Sequence, residues 1–328
     1  MDISVATFNL NNLFSRFNFK ASVDAMRAAA PGEEDVSVSY AFDETADYVL
    51  RTFQGRLVKS KDPAETAAIA GRILDMDADV LAVQEVEDIA VLRQFNDDHL
   101  GGLYSDVVLI EGNDQRLIDV GIMSKLPLGE ISSFQTAVHP EAPGSRVFGR
   151  DLLGVDIMSP GRKRKLFTLY NTHLKSHFVH FRDDPATGKL NNDRRRRQQA
   201  EMVSQLIGKQ QRRGARFVLA GDMNDPVDSP ILRAMRTIDG DALVNALANP
   251  LESRPAKAET QGPGPQTPAW TYRRNPPGRD TPPVHFLYDQ IWLSPALARF
   301  LQSAHIHRRT KHGGDGSDHD PAWITLSL

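Results

Sequence analysis

The chain has 328 residues, a hydrophobic share of 40% and a formal net charge of -3. This composition suffices for a large buried core, and the near-neutral charge implies no overall attraction to nucleic acid or anionic membranes. Because the chain contains no cysteine, disulfides, thiolate nucleophiles and cysteine metal sites are excluded. Histidines, carboxylates and amides must therefore carry any metal or acid–base chemistry.

The N-terminal segment MDISVATFNL lacks the basic region and following apolar core that direct export. No later stretch approaches the ~20 apolar residues of a membrane-spanning helix. We therefore expect a cytoplasmic protein with no membrane span, unless an export leader has been trimmed away. The sequence implies no obligate protein partner.

Strand-like and helix-like segments alternate from the first residues, which indicates an α/β architecture. The segment ISVATFNL is rich in apolar and β-branched residues and predicts a buried opening strand. Asp62 then predicts the N-cap of a helix, with Pro63 at the first helical position and Glu65 completing a capping box. After this helix, DVLAVQEV predicts a strand that ends at Glu85.

The middle of the chain continues the alternation. YSDVVLIEGNDQRLIDVGIMSK predicts two strands joined by a turn at Gly112, Asn113 and Asp114. RKLFTLYNTHL predicts a further strand, followed by a polar loop from Lys175 to about Asp193, whose length is typical of a lid or a surface excursion. RRRRQQAEMVSQLIGKQQ then predicts an amphipathic helix, and RFVLAGDMND predicts a buried strand.

The C-terminal part contains nine prolines between residues 250 and 283, which predicts a loop interrupted by the strand-like AWTYRR. FLYDQIWLS and PAWITLSL are predicted as the last two strands. Strands therefore flank the proline-rich segment on both sides, as expected of a surface loop rather than a linker. We predict a single domain over residues 1–328.

The predicted strands repeatedly end in a carboxylate, an amide or an imidazole. These residues are Asn9, Glu85, Asn171, His173, Asp222, Asn224, Asp289, Asp318 and His319. Strand ends in α/β sheets gather ligands, so we expect the residues to converge on one polar site. Taken singly, most are ordinary turn or strand-end residues. Asp289 differs, because a carboxylate within a buried apolar strand is costly without a partner.

Taken together, the residues have a recognisable chemistry. Glu85, Asp318 and the carbonyl of Asn9 offer hard oxygen ligands, which suit Mg²⁺ or Mn²⁺ rather than zinc. Two histidines can donate protons or hydrogen bonds, and Asp222 and Asn224 are spaced to lie on one side of a strand. This inventory fits metal-assisted phosphoester hydrolysis.

Six segments in order, TFNLNNLF, VQEVE, NTHL, GDMND, YDQIWLS and SDHDP, resemble the motifs of the endonuclease/exonuclease/phosphatase family. The resemblance spans nearly the whole chain. It implies the fold of pancreatic deoxyribonuclease, an α/β four-layer sandwich of two mixed β-sheets packed face to face with helices outside. Family members include abasic-site endonucleases, deoxyribonucleases, sphingomyelinases, inositol-polyphosphate phosphatases and tyrosyl-DNA phosphodiesterases.

The resemblance also implies residue roles. Glu85 corresponds to the principal Mg²⁺ ligand, with Asn9 beside it and Asp318 reaching the metal directly or through water. Asp222 corresponds to the residue that orients and deprotonates the attacking water, and Asn224 to its phosphate-binding partner.

The two histidines also have counterparts in the family. His319 corresponds to the histidine that contacts the scissile phosphate, and Asp289 to the carboxylate that orients it. His173 and Asn171 match the NTHL motif, whose histidine stabilises the phosphate or assists the leaving group. We expect Asn171 to bind the substrate. Gln290 departs from the family pattern, in which an aromatic residue or histidine is more common.

NDQRLIDVGIMSK is similar to a segment of bacterial relatives. Arg116 and Asp119 in this segment either face the site or form an exposed ion pair in a hairpin.

A nuclease is the leading interpretation of the substrate, with nucleic acid bound by RRRR at Arg194–Arg197, RKRK at Arg162–Lys165 and Trp270 in WTYRR. The alternatives for these segments are a solvated helix face, a hairpin turn and a core aromatic. A phosphodiesterase or phosphatase acting on a lipid headgroup or a small phosphate ester is the second interpretation. A catalytically silent binding protein is the third, and the complete set of site residues argues against it.

Overall fold

The computed structural model describes residues 1–14, 61–114, 116–179, 183–252, 269–274, 282–309 and 315–328. One mixed sheet contains seven strands: β1 Asp2–Leu13, β2 Val80–Val86, β3 Asp106–Leu109, β4 Asp119–Ser124, β12 Leu251–Glu252, β16 Leu301–Ile306 and β17 Ala322–Ser327. Across this sheet the strand order is β12-β16-β17-β1-β2-β4-β3.

A second mixed sheet contains six strands: β5 Leu128–Ser133, β6 Leu152–Met158, β7 Lys165–His173, β8 Phe217–Asp222, β11 Val244–Asn245 and β15 Asp289–Leu293. Its order is β11-β15-β8-β7-β6-β5. Two strand pairs complete the described sheets: β9 Thr237–Ile238 with β10 Asp241–Ala242, and β13 Tyr272–Arg274 with β14 Val284–Phe286.

The described helices are α1 Pro63–Met76, α2 Ile89–Leu100, α3 Pro185–Gln210 and α4 Pro295–Ala298, with 3-10 helices at Pro160–Arg162 and Pro230–Arg236. Helix α1 begins as predicted, because the Asp62 carboxylate accepts a hydrogen bond from the Ala64 N–H at 2.8 Å. None of the helices in these ranges is long and apolar enough to cross a membrane.

Apolar side chains from both sheets form one core between them. Val5 and Ala82 of the first sheet belong to the same cluster as Leu169, Ala220 and Ile291 of the second. All five side chains are fully buried. Because burial of apolar area is the main driving force of folding, this interface fixes how the sheets face each other.

The outer faces of the sheets are covered by helices. Phe8 of β1 packs in a cluster with Ile69 and Ile73 of α1. Tyr170 of β7 packs in another cluster with Val203 of α3. The order helix, sheet, sheet, helix is the predicted four-layer sandwich, which is confirmed.

Strand directions bring the predicted site residues to one edge. β1 runs parallel to β2, and β7 runs parallel to β8, so each pair ends at the same side. β15 is antiparallel to β8 and begins where β8 ends, with Asp289 opposite Asp222. β17 is antiparallel to β1, which places the preceding SDHDP turn at the end of β1. The chain thus delivers its polar strand ends to one place.

Gly221 allows β7 and β8 to approach closely beside this edge. Its φ is +135°, and a Cβ atom there would lie 1.9 Å from the backbone oxygen of Thr172. Backbone atoms of a paired strand cannot move aside, so only glycine fits this position. The fit fixes the relative positions of His173 and Asp222, which end the two strands.

The number of strands was underestimated. β16 lies between β15 and β17, so the prediction that FLYDQIWLS and PAWITLSL are the last two strands is wrong. The segment LQSAHI is only partly buried, with Gln302 exposed, and it contains no long apolar run. Its pairing with β17 and the short β12 makes it a strand.

The polar loop after β7 is shorter than predicted. Helix α3 begins at Pro185, because the Asp184 carboxylate caps it by accepting from the Thr187 N–H at 2.9 Å. Its first turns are polar and present little apolar periodicity, so the sequence pattern placed the start near Asp193. Residues 180–182 lie outside the described ranges, and the lid remains a prediction.

Candidate active site

A cleft of about 440 Å³ opens at the edge where the strands end. Six of the predicted site residues line it: Glu85, His173, Asp222, Asn224, Asp318 and His319. Asn9 and Asp289 lie directly behind this lining, each hydrogen-bonded to one of its members. The structure therefore brings together eight of the residues predicted from strand ends.

Asp289 and His319 form the buried pair that the sequence predicted. The Nδ1 atom of His319 lies 2.7 Å from Oδ2 of Asp289, and its Nε2 atom lies 3.9 Å from Oδ2 of Asp222. Burial lowers the pKa of His319, but the carboxylates of Asp289, Asp222 and Asp318 together raise it to about 10. The imidazole is therefore charged at neutral pH and is held between two carboxylates.

Asp222 has a polar contact on each carboxylate oxygen. Its Oδ2 accepts from the Asn9 side-chain amide at 3.0 Å, and its Oδ1 accepts from the Asn224 backbone N–H at 2.9 Å. The pKa of Asp222 is raised to about 7. Burial and the negative charge of Asp289 raise it, and the positive charge of His319 lowers it. Such a pKa suits a group that must accept a proton near neutral pH. Asn224 itself lies beyond the end of β8 with φ 51°, rather than on one strand face with Asp222 as predicted.

Glu85 projects from an irregularity in β2. The pairs Asn9–Gln84 and Leu13–Val86 leave three residues of β1 opposite the single residue Glu85. Glu85 has φ 61°, which is unusual for a residue other than glycine. Strained backbone of this kind is concentrated at functional sites, where it re-aims a side chain.

The carboxylates of Glu85 and Asp318 are the candidate cation ligands of the cleft. Neither accepts a hydrogen bond from any residue that the structure describes, although Oε1 of Glu85 lies 4.0 Å from Nε2 of His173. Burial lowers the pKa of Lys61, although the nearby carboxylates of Glu65, Glu85 and Asp318 raise it. Two carboxylates in one polar cleft that accept no hydrogen bond within the described ranges fit a hard cation such as Mg²⁺.

A second cation arrangement is also present. Ligand atoms of Asp222, Asp289 and His319 all lie within 4.8 Å of one another, which is close enough to hold a metal ion. However, His319 hydrogen-bonds Asp289 and carries a proton at neutral pH. Because a metal ligand must be deprotonated, the charged imidazole acts as a hydrogen-bond donor there.

The SDHDP turn is tied to β1 by Ser317. Its hydroxyl donates to the backbone oxygen of Asn9 at 2.7 Å and accepts from the His319 N–H at 3.0 Å. This contact holds Asp318 and His319 at the end of β1.

Asp320 anchors the same turn through buried ion pairs, a role that the sequence analysis did not predict. Its buried carboxylate lies 2.8 Å from Arg72, 3.0 Å from Arg309 and 3.3 Å from Arg308. We call these four residues the arginine clasp. Burial raises the pKa of Asp320, but the three guanidinium groups outweigh it and hold this pKa below its ordinary value.

The arginine clasp also grips the backbone of the turn. Arg309 donates to the carbonyl of Asp318 at 2.8 Å, and Arg72 donates to the carbonyl of His319 at 3.1 Å. The signals for the clasp were the second carboxylate of SDHDP and the buried position of Arg72 between Ile69 and Ile73 on α1.

Asn171 does not reach the cleft, contrary to its predicted role in substrate binding. Its amide donates to the carbonyls of Val83 and Gly121 at 2.9 and 2.7 Å, and its carbonyl accepts from Gln84 at 2.8 Å. These bonds use both donors and join the two sheets. Asn171 is fully buried and therefore stabilises the sandwich instead.

Trp270, predicted to bind substrate, does not line the cleft either. Only 3% of it is exposed, with the Arg308 guanidinium 3.9 Å from its ring centroid and His285 at 4.5 Å. No ring face is open for stacking. The cleft is lined instead by Phe178, Tyr272 and Tyr288. The rings of Tyr272 and Tyr288 stack at 5.2 Å, and His319 lies 4.9 Å from Tyr272.

Neither basic segment lines the cleft. Arg196 is fully buried in ion pairs with Asp193 and Asp225. RKRK forms the turn that precedes β7, while His173 lies at the other end of that strand. With about 3.3 Å per residue, this separation is roughly 26 Å.

Gln290, the departure from the family pattern, is fully engaged. Its amide donates to the carbonyls of Asp225 and Leu287 at 2.7 and 2.9 Å, and its carbonyl accepts from Trp292 at 2.8 Å. It stabilises the backbone that follows Asp222.

Three cations beside the cleft form a group that the sequence reasoning saw only in part. Arg116 and Arg150 both approach the Oδ2 atom of Asp114, at 2.9 and 3.5 Å. Lys175 follows the end of β7, and burial, then Arg150 and Arg116, lower its pKa to about 8. Asp119, in contrast, is buried and accepts from the Gly112 N–H at 2.7 Å.

Arg150 also touches His173. Its Nη2 atom lies 3.4 Å from Nε2 of His173, which in turn lies 3.4 Å from Oδ2 of Asp222. Burial, Arg150 and His319 hold the pKa of His173 well below its ordinary value. The site thus combines one charged histidine with one neutral histidine.

Two packed mixed sheets with a carboxylate–histidine cleft at their edge define a hydrolase of phosphate esters. The model of the endonuclease/exonuclease/phosphatase family matches residues 6–319, and the chain belongs to that family. The resemblance found in the sequence motifs is confirmed. No curated protein is significantly similar to the chain in sequence.

Three solved structures show the same fold. An endonuclease/exonuclease/phosphatase from Bacteroides vulgatus has 16% identity and a TM-score of 0.58, with 100% of this chain and 99% of that chain covered. The mannosyl-6-phosphatase Bt3783 of Bacteroides thetaiotaomicron has 15% identity and a TM-score of 0.55, with 99% and 100% covered. D. rerio TDP2 complexed with single strand DNA product has 15% identity and a TM-score of 0.55, with 100% of this chain and 99% of that chain covered.

Proposed function

We propose that the protein is a Mg²⁺- or Mn²⁺-dependent nuclease that cleaves phosphodiester bonds by attack of water. The buried Asp222–His319–Asp289 arrangement beside the carboxylates of Glu85 and Asp318 carries this proposal. Glu85 and Asp318 would hold the cation, with Asn9 beside them. When bound, the cation would offset negative charge on the phosphate and on the departing oxygen.

The protein residues divide the remaining work. Asp222, oriented by Asn9 and by the Asn224 N–H, accepts the proton of the attacking water. His319 donates a hydrogen bond to a phosphate oxygen, and Asp289 keeps its charge and orientation. His173, which is neutral, lies against Asp222 on the other side.

The cleft wall supports a nucleotide substrate. Tyr272, Tyr288 and Arg274 line it next to His319, and Phe178 is 64% exposed at its rim. Aromatic faces stack bases without regard to sequence, and arginine binds the neighbouring phosphates. TDP2 with its single strand DNA product shares this fold.

A small phosphate ester is the second candidate substrate. The mannosyl-6-phosphatase has the same fold, and neither of the basic segments RRRR and RKRK lines the cleft. A short substrate needs only the cleft itself.

A substrate panel tests the proposal. Single-stranded DNA, RNA, supercoiled plasmid, bis(p-nitrophenyl) phosphate and mannose 6-phosphate are incubated with Mg²⁺, Mn²⁺ or chelator, with His319→Ala as the inactive control. We expect metal-dependent cleavage of a polynucleotide, lost in the variant. Tyr272→Leu should then lower polynucleotide cleavage more than cleavage of the small diester.

Two results would contradict the nuclease. Hydrolysis of mannose 6-phosphate without cleavage of nucleic acids would show that the protein is a phosphatase and not a nuclease. Undiminished turnover by His319→Ala would remove the site assignment itself.

The pH profile gives a separate prediction. Catalysis needs Asp222 ionised and His319 protonated, so kcat/KM should rise through about pH 7 and fall towards pH 10. A bound cation moves the rising limb to lower pH. In Asp289→Asn the carboxylate that retains the His319 proton is lost, so the falling limb should move to lower pH. A falling limb that is unchanged in this variant would show that His319 does not set it.

A further inference from the structure

Three cations, Arg116, Arg150 and Lys175, lie beside the end of β7 that carries His173. Arg116 and Arg150 share the Oδ2 atom of Asp114. The Lys175 ammonium donates to the carbonyls of Ser176 and Phe178, two residues that line the cleft, at 3.2 and 3.3 Å. Arg150 contacts His173, whose Nε2 atom lies 3.4 Å from Asp222 and 4.0 Å from Glu85, so this group adjoins the catalytic carboxylates.

Arg150 is the member whose environment calls for a ligand. Only 3% of it is exposed. Its sole hydrogen bond to a described residue is the 3.4 Å contact with His173, and its Nε makes no hydrogen bond within the described ranges. A guanidinium has five N–H donors, and a buried donor without an acceptor is costly. The ion pair with Asp114 at 3.5 Å is too long to satisfy them.

We propose that Arg150, Arg116 and Lys175 form an anion subsite beside the catalytic centre, which binds a second phosphate group of the substrate. The planar guanidinium of Arg150 matches two phosphate oxygens, and the buried position strengthens such a contact. The proposal rests on the proposed phosphodiester hydrolysis and specifies its substrate as one with a phosphate next to the scissile one. A polynucleotide and a short nucleotide with a terminal phosphate both offer this chemistry.

A matched pair of substrates isolates the subsite. Thymidine 5′-(p-nitrophenyl phosphate) is compared with the same compound carrying a 3′-phosphate, and kcat/KM is measured for each. We expect the wild type to favour the 3′-phosphorylated compound by about tenfold or more, as one charge-assisted bidentate contact implies. In Arg150→Met the ratio should fall to about one, and Arg150→Lys should lie between. If the natural substrate is a polynucleotide, the wild type should also cleave a 5′-phosphorylated dinucleotide faster than its dephosphorylated form.

Binding of inorganic pyrophosphate provides a readout that needs no turnover. Pyrophosphate should raise the melting temperature of the wild type and inhibit it, and Arg150→Met should weaken the inhibition by about tenfold. Arg213→Met is the control, because that side chain is 83% exposed and precedes β8, at the end of the strand opposite Asp222. It should behave as the wild type in every assay.

The outcomes separate the two proposals. If the wild type hydrolyses diesters but shows no preference for the second phosphate, the subsite is refuted and the nuclease stands. If Arg150→Met lowers all activities, Mn²⁺ affinity and melting temperature together, Arg150 is structural and the subsite is refuted. If the wild type hydrolyses no phosphate ester, the proposed function fails, and Arg150-dependent pyrophosphate binding still decides whether the anion subsite exists.

Discussion

Asp222→Asn is expected to lower kcat by about 10²–10⁴-fold, the usual contribution of a positioned general base. The asparagine has the same shape but cannot accept a proton from water. Its environment would also change, because Oδ2 of Asp222 now accepts from the Asn9 amide and an N–H there would face another donor. KM should change much less than kcat.

The measurement is steady-state hydrolysis of bis(p-nitrophenyl) phosphate with Mg²⁺, with Asp156→Asn as the matched control. Asp156 lies on β6 and accepts a hydrogen bond from the Thr168 hydroxyl on β7. Thr168 is five residues before His173, which ends β7. The control variant should keep wild-type activity. A kcat within threefold of the wild type for Asp222→Asn would rule out its role as the base.

Asp320→Ala is expected to lower the free energy of unfolding by at least about 3–5 kcal/mol, the cost of breaking a buried ion pair. Removal of this carboxylate would leave three buried guanidinium groups without their shared counter-ion. Because a protein has a total stability of about 5–15 kcal/mol, the variant would be close to unfolding. Activity should also fall, since Arg72 and Arg309 hold the backbone of the catalytic turn.

Urea unfolding followed by circular dichroism tests this expectation. Asp77→Asn is the control, because Asp77 is 72% exposed in its ion pair with Lys125. Exposed pairs contribute about 0–1 kcal/mol, so the control should lose little. Equal, small losses in both variants would show that the arginine clasp does not stabilise the fold.

Much of the fold and site could be predicted because one simple rule held. Apolar runs ended in polar residues wherever a strand reached the open edge, and the parallel and antiparallel pairings carried those ends to one place. Asp289 was informative alone, because an apolar strand could not bury it without a partner, and His319 is that partner.

The same rule failed for Asn171. It lies two residues before His173 on the same face of β7, yet the opposite sheet covers it and uses its hydrogen bonds. Depth within a sandwich depends on how two sheets are offset, and that offset is set by packing rather than by local sequence.

Arg150 and Asp320 were missed for a related reason. Both are charged residues that local patterns assign to the surface, and both are buried by partners far away in the chain. Trp270 shows the converse, since an aromatic residue beside arginines suggested stacking on a base, whereas Arg308 occupies its face. Charge pairing across long separations leaves no periodic trace in the sequence.

The hydrogen bond between Ser317 and Asn9 spans 308 positions in the chain. The catalytic turn therefore reaches its place only after two segments far apart in the chain have met, which is a contact with a high loop-closure entropy. The central strands of the sheets can pair before this contact forms. The cleft should consequently become complete late in folding, when β17 pairs with β1.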